Sequence, residues 1–152
     1  MALGSNLGDR RENIQKALEL LRSAGKVEVV KVSSLYETEP EGGPQQGKFL
    51  DGAAEIRTAL SPHELLAHLK QIEKETGRKP SGVRWGPREI DLDILLYGDM
   101  AVNDPELTIP HPLLHLRTFM IGPLAEIAPG ALHPIIKKTA SEILESLSGK
   151  DK

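Results

Sequence analysis

Arg84-Trp85-Gly86-Pro87-Arg88-Glu89-Ile90-Asp91-Leu92-Asp93-Ile94-Leu95-Leu96 passes from a breaker-rich loop into the strand that completes the fold pattern of this chain. Glu89 to Tyr97 is dense in Ile and Leu, which reads as a strand inside a sheet, and Gly98-Asp99 ends it. In extended backbone alternate side chains share a face, so Asp91 and Asp93 point one way while Leu92 and Ile94 point the other. A bare Asp-x-Asp is ordinarily a solvated strand edge. Here the apolar neighbours imply an interior strand, where two like charges on one face repel and are costly to bury unless a cation neutralises them.

Working back from that strand, Lys79 to Pro87 reads as an irregular loop, and before it Ser61-Pro62-His63-Glu64 opens a helix with an N-cap and a proline at the first helical position. Leu65, Leu66, Leu69 and Ile72 carry its apolar face toward Gly77. Phe49 to Thr58 reads as a strand returning from the loop Glu39 to Gly47, which holds three glycines and two prolines and no apolar periodicity. Val27 to Leu35 is β-rich and continues toward Thr38. Ile14, Ala17, Leu18 and Leu21 recur at helical spacing, with Asp9 as cap and Gly25 as stop. Met1-Ala2-Leu3 is a short apolar stub before the turn-rich Gly4-Ser5-Asn6-Leu7-Gly8. Beyond the closing strand, Leu107 to Ile109 reads as a short strand, and Leu113 to Leu124 and Ala140 to Leu147 as helices.

The order strand, helix, strand, strand, helix, strand is the split βαβ pattern of a ferredoxin-like α+β sandwich, an antiparallel sheet with helices packed on it. At 152 residues the chain fits a single domain, 1–152, with two mobile loops, Glu39 to Gly47 and Lys79 to Pro87, beside the site. No apolar run is long enough to span a bilayer and no signal pattern follows Met1, so a soluble, cytoplasmic protein is expected. Cysteine is absent, which excludes disulfides, thiolate catalysis and cysteine-ligated zinc. The net charge of −3 argues against nucleic acid as a partner. Locally the balance reverses: from Arg78 to Arg88 there are four basic residues, Arg78, Lys79, Arg84 and Arg88, and no acidic one. That segment suits a small anion.

Guanidinium groups are permanently charged and fork onto phosphate oxygens, and magnesium binds through one or two carboxylates plus phosphate oxygens and water. Arginines just before Asp91 and Asp93 therefore describe a site for a metal-bound polyphosphate. Gly42 to Lys48 imitates a Walker A loop, but Phe49 stands where Ser or Thr would hold the metal and the next segment reads as strand, so a P-loop is rejected. His111 and His115 have helical metal-ligand spacing, yet Pro112 marks a boundary between them and no third ligand is evident, which makes zinc improbable. Aromatics are only 3%, and Phe49, Trp85 and Phe119 all adjoin polar candidates, where they can stack on a flat heterocycle.

Together, Gly4-Ser5-Asn6-Leu7-Gly8, Ser33-Ser34-Leu35-Tyr36-Glu37-Thr38, Phe49-Leu50, Glu73 with Gly77-Arg78, the Arg84 to Leu96 run, Pro110-His111 and Arg117-Thr118-Phe119-Met120 resemble the 6-hydroxymethyl-7,8-dihydropterin pyrophosphokinases of folate biosynthesis, almost end to end. The resemblance implies a ferredoxin-like fold and magnesium-dependent transfer of the β,γ-pyrophosphoryl unit of ATP to the pterin hydroxymethyl group, giving AMP and the pterin diphosphate. It implies Asp91 and Asp93 as ligands of two magnesium ions and Arg78 and Arg88 as arginines assisting transfer. Glu73, Arg84, Trp85, Ile94, Thr108, His111 and Arg117 match ATP-binding positions, Ile94 and Thr108 at the adenine. Phe49 and Phe119 match the aromatic pair around the pterin, with Thr38, Gly42 and Asp51 lining its pocket. Where Asp51 stands the family usually has Asn; an aspartate accepts hydrogen bonds from the ring amine and N–H but cannot donate. Pro80 and Ser81 occupy a loop often richer in basic residues, and the first strand is several residues shorter than usual. The expected partners are the two small-molecule substrates alone, bound by a monomer, with neither nucleic acid nor membrane.

Overall fold

The computed structural model describes residues 1–38, 48–76 and 89–149. In chain order its elements are β1 (Ala2–Ser5), α1 (Arg10–Ser23), β2 (Val27–Val32), β3 (Tyr36–Thr38), β4 (Phe49–Thr58), α2 (Pro62–Thr76) and β5 (Asp91–Asp93). There follow β6 (Val102–Asn103), β7 (Thr108–Ile109), α3 (Thr118–Ile127), β8 (Leu132–His133), β9 (Lys138–Thr139) and α4 (Ala140–Gly149).

The main sheet runs β2-β4-β1-β5, with β3 also paired to β4, and every pairing is antiparallel. The expected α+β sandwich is therefore present. β2 and β3 lie along the same edge of β4, and the single strand expected from Val27 toward Thr38 is broken between them. The reason lies opposite the break, at Gly52: a Cβ there would come within 2.8 Å of Leu35 Cδ2 and 3.2 Å of Ser33 Oγ. Leu35 and Ser33 fold into the space left by the missing side chain. The Ser33 hydroxyl accepts from Ala53 N at 2.8 Å, standing in for a backbone carbonyl in the ladder.

Helix ends follow local chemistry. Asp9 Oδ1 accepts from Glu12 N at 3.1 Å and caps α1, while Gly25, at φ 74°, lies just beyond its last turn. At α2, Ser61 Oγ accepts from Glu64 N at 3.2 Å and Glu64 Oε1 accepts from Ser61 N at 2.9 Å, a reciprocal capping box. Ile14, Ala17, Leu18 and Leu21 of α1 and Leu65, Leu69 and Ile72 of α2 pack with Leu3, Leu50 and Leu92 of the sheet into one core. Each buried Leu or Ile there contributes roughly 1.5–3 kcal/mol. A second core, on the other face, joins Leu95, Leu114, Met120, Ile121, Leu124, Ala140 and Ile143, with Ala2 and Phe119 packed against it.

Three further expectations change. The turn expected at Gly4 and Ser5 begins later, because β1 runs through both and only Gly8 of that segment has positive φ, 73°. The strand expected over Glu89 to Tyr97 is limited to Asp91–Asp93, where the ladder with β1 runs from Gly4 to Ala2. The helix expected from Leu113 starts at Thr118 instead. Leu113 N donates to His111 Nδ1 at 3.1 Å, and Leu114 N and Leu116 N close tight turns on His111 O and Leu113 O. The apolar spacing of that stretch buries Leu114 in the second core without forming a helix. The short strand expected at Leu107 to Ile109 is β7, paired with β6 outside the main sheet. Among the described residues no helix is long and apolar enough to cross a membrane.

Candidate active site

The central strands divide their residues by parity. In register, Gly4 of β1 lies between Asp51 of β4 and Asp91 of β5, while Ala2 lies between Ala53 and Asp93. Directly opposed residues share a face, so Asp91 and Asp93 lie on the face that carries Asp51. Phe49 joins them there: a Cβ on Gly4 would stand 2.8 Å from Asp51 Oδ1 and 3.6 Å from Phe49 Cδ1. The glycine thus provides a floor over which the Asp51 carboxylate and the Phe49 ring lie. α3 packs on β4 from this side and brings Phe119 in its first turn.

Asp51 is half-buried and accepts from the Thr38 hydroxyl across the β3–β4 pair. Burial pushes its carboxyl up from the usual 3.8 to about 6; the Thr38 hydrogen bond opposes that, and the Asp91 charge adds to it. His111 returns to the end of β5 through a bond from its N–H to Leu95 O at 2.9 Å. Because its Nδ1 accepts from Leu113 N, the neutral ring carries its proton on Nε2. Burial holds the imidazole below its ordinary pKa, against the pull of the Asp91 carboxylate. A neutral N–H donor near the carboxylate pair results.

Glu73, near the end of α2, is 8% exposed, and its Oε2 accepts from Leu92 N at 2.8 Å. Leu92 sits between the two aspartates on β5, an edge strand of the main sheet among the described residues, so this bond fixes the backbone that presents them. Arg117 is the N-cap residue of α3, two positions before Phe119. Thr108 lies exposed on β7. Ile94 is 5% exposed in the core shared with α1 and α2, so its side chain lies away from the carboxylate face. Gly42, Arg78, Arg84, Trp85 and Arg88, and both expected loops, lie outside the described residues.

The parts brought to one face are two carboxylates, an aromatic floor with a hydrogen-bond acceptor beside it, and a neutral imidazole donor. Paired carboxylates of this kind fit magnesium, which needs only one or two from the protein when phosphate oxygens complete its shell. Sequence reasoning missed the residues that hold these parts in place. Arg10 donates to Glu37 Oε1 at 2.7 Å and to Lys48 O at 3.0 Å, tying the first turn of α1 to both β3 and the residue that precedes β4. Glu126 accepts from Ser34 and Tyr36. Neither has a local signature beyond a charged residue on a helix.

The family model for 7,8-dihydro-6-hydroxymethylpterin-pyrophosphokinase matches residues 1–129. The chain belongs to that family. It is accordingly an enzyme of the pyrophosphokinase class. A 2-amino-4-hydroxy-6-hydroxymethyldihydropteridine pyrophosphokinase of Aquifex aeolicus is 46% identical over 142 residues, 93% of this chain and 87% of that protein. The protein of the same name from Bacillus subtilis is 50% identical over 127 residues, covering 84% of this chain and 75% of its own length. In Pisum sativum a mitochondrial folate synthesis bifunctional protein is 47% identical over 132 residues, 87% of this chain but 25% of that longer protein.

Proposed function

We propose that the chain transfers the pyrophosphoryl group of ATP to 6-hydroxymethyl-7,8-dihydropterin, giving AMP and the pterin diphosphate, with two magnesium ions held through Asp91 and Asp93. The observation that carries this reading is the shared sheet face on which those carboxylates, opposite Gly4 and Ala2, lie with Asp51 and Phe49, in a chain of the pyrophosphokinase family.

In this reading Phe49 and Phe119 receive the flat pterin, and the Thr38-bonded carboxylate of Asp51 accepts hydrogen bonds from the ring amine and N–H. That edge contact turns the 6-hydroxymethyl group toward the polyphosphate. The hydroxyl oxygen attacks the β-phosphorus in line as the bond to the α,β-bridging oxygen breaks. AMP leaves with that oxygen, and the hydroxyl proton passes to solvent. Positioning and electrostatics supply most of the rate. Bound magnesium would supply neutralisation of phosphate charge and alignment of the triphosphate. His111 donates from Nε2 to a phosphate oxygen, and Arg78, Arg84, Arg88 and Arg117 are assigned to the phosphates by their guanidinium chemistry. Glu73 keeps Asp91 and Asp93 in register through Leu92 N. Trp85, Thr108 and the backbone of Ile94, whose side chain is in the core, are assigned to the adenine nucleotide and Gly42 to the pterin pocket. We take the active unit to be a single-domain cytoplasmic monomer acting on small molecules, and sedimentation of the active protein checks its size.

The experiment is direct: protein, ATP, magnesium and hydroxymethyl-dihydropterin, with AMP as the readout. The reading requires AMP in equal amount to pterin diphosphate. ATP binding without AMP would instead describe a nucleotide-sensing module.

A further inference from the structure

α3 carries two groups that act on opposite sides of the pterin slot. Phe119 lies in its first turn, and Glu126 follows seven residues later, about two turns on and close to the same helix face. From that position Glu126 Oε2 accepts from Ser34 N at 2.8 Å and from Ser34 Oγ at 3.2 Å, and Oε1 accepts from the Tyr36 hydroxyl. Ser34 lies in the break between β2 and β3, and Tyr36 begins β3. β3 is only three residues long and among the described residues its ladder is with β4 alone, Tyr36 opposite Asp51 and Thr38 opposite Phe49. A continuous path results: Phe119, α3, Glu126, the Ser34–Tyr36 segment, then Thr38, Asp51 and Phe49.

We propose that Glu126 is a positioning residue that sets the gap between Phe119 and the Phe49–Asp51 floor, and so governs acceptor binding without touching the acceptor. This rests on the pterin site described under the proposed function. The ionic character of the clamp supports it: the Tyr36 and Ser34 hydrogen bonds hold the Glu126 carboxyl below its ordinary pKa, and the same bond raises the Tyr36 phenol. Glu126 is exposed and belongs to neither core. α3 is anchored independently by Met120, Ile121 and Leu124, and β3 is held from the opposite sheet face by Arg10 on Glu37. Loss of Glu126 therefore frees the edge strand to shift against α3 while both cores stay packed.

The test compares wild type with Glu126→Ala, Glu126→Gln and Tyr36→Phe, measuring KM for each substrate, kcat and Tm. Glu126→Ala should raise the pterin KM about tenfold, with the ATP KM and kcat within about twofold, since charge-assisted bonds to two partners are lost. Tyr36→Phe, which keeps the Ser34 bonds, should give a smaller rise. Glu126→Gln, which retains an acceptor oxygen, should recover part of the loss. In the double variant Glu126→Ala with Tyr36→Phe the effects should be less than additive, because both remove one interaction. An unchanged pterin KM in Glu126→Ala overturns the proposal, as does an equal rise for both substrates accompanied by a fall in Tm, which marks a merely structural role. A wild-type protein that makes no AMP from the pterin fails one step earlier, at the reaction itself.

Discussion

The two faces of β1, β4 and β5 are built from alternate residues of the same strands, yet they do opposite work. Toward α1 and α2 the strands present Leu3, Leu50 and Leu92, each 5% exposed or less. Toward the site they present Gly4, Phe49, Asp51, Asp91 and Asp93, of which Phe49 and the three aspartates are only half-buried. One face removes apolar area from water; the other keeps carboxylates where cations and N–H donors can reach them. The strand period is two, so a slip of one residue would exchange them. The dense apolar face fixes the register, and that register is what aligns the polar residues of three separate strands.

That division can be broken most sharply at Asp93. Asp93→Ala should lower turnover by about a thousandfold or more, out of proportion to any fall in Tm, because it removes a carboxylate from the polar face and leaves the apolar face packed. Near-normal AMP formation by the folded variant would sink the metal assignment. The reciprocal change is Leu50→Ala, expected to cost about 2–5 kcal/mol in urea unfolding, whereas Phe49→Ala, one residue along, should cost under about 2 kcal/mol and appear mainly as weakened pterin binding. Equal destabilisation by the two would contradict the division by parity.

Gly4→Ala probes the floor between the aspartates. The new Cβ would meet Asp51 Oδ1 at 2.8 Å, so the carboxylate must move, and pterin affinity should fall by about 10- to 100-fold with ATP affinity retained. Titration calorimetry with each substrate separates the two. The remaining effect is electrostatic. Asp51 is raised from 3.8 to about 6, so its contribution to stability is present below the unfolded value and lost as pH rises through about 6. Asp51→Asn has no such titration. The variant should therefore gain on wild type by on the order of 2 kcal/mol in urea unfolding between about pH 4 and pH 7. A difference that is flat with pH would show that burial does not hold the carboxyl up.

Much of this organisation is legible in the chain itself. Asp91-Leu92-Asp93 announces its alternation without help, and the Ser61/Glu64 capping box and Asp9 cap are visible as residue patterns three apart. Gly4 misled because glycine beside Ser and Asn reads as a turn; here it is a strand residue whose missing side chain makes room for the Asp51 carboxylate. Leu113 to Leu116 misled in the opposite way, since helical apolar spacing is satisfied equally by successive tight turns that bury Leu114. Glu73 suggested a ligand contact by resemblance, and the structure adds a bond to Leu92 N that no spacing could indicate.

The sequence by itself determined where α1 and α2 begin, which strand residues share a face, and that Asp91 and Asp93 bring two like charges to one face. These follow from backbone periods and from side-chain to backbone bonds spanning a few residues. Only the tertiary structure decided that Gly4 lies between Asp51 and Asp91, and that Glu126 reaches Ser34 across 92 residues and Tyr36 across 90. Such contacts depend on which strands the buried apolar face brings side by side. The entropy of closing long segments varies too slowly with length to favour one distant partner over another, so the packed sheet makes that choice.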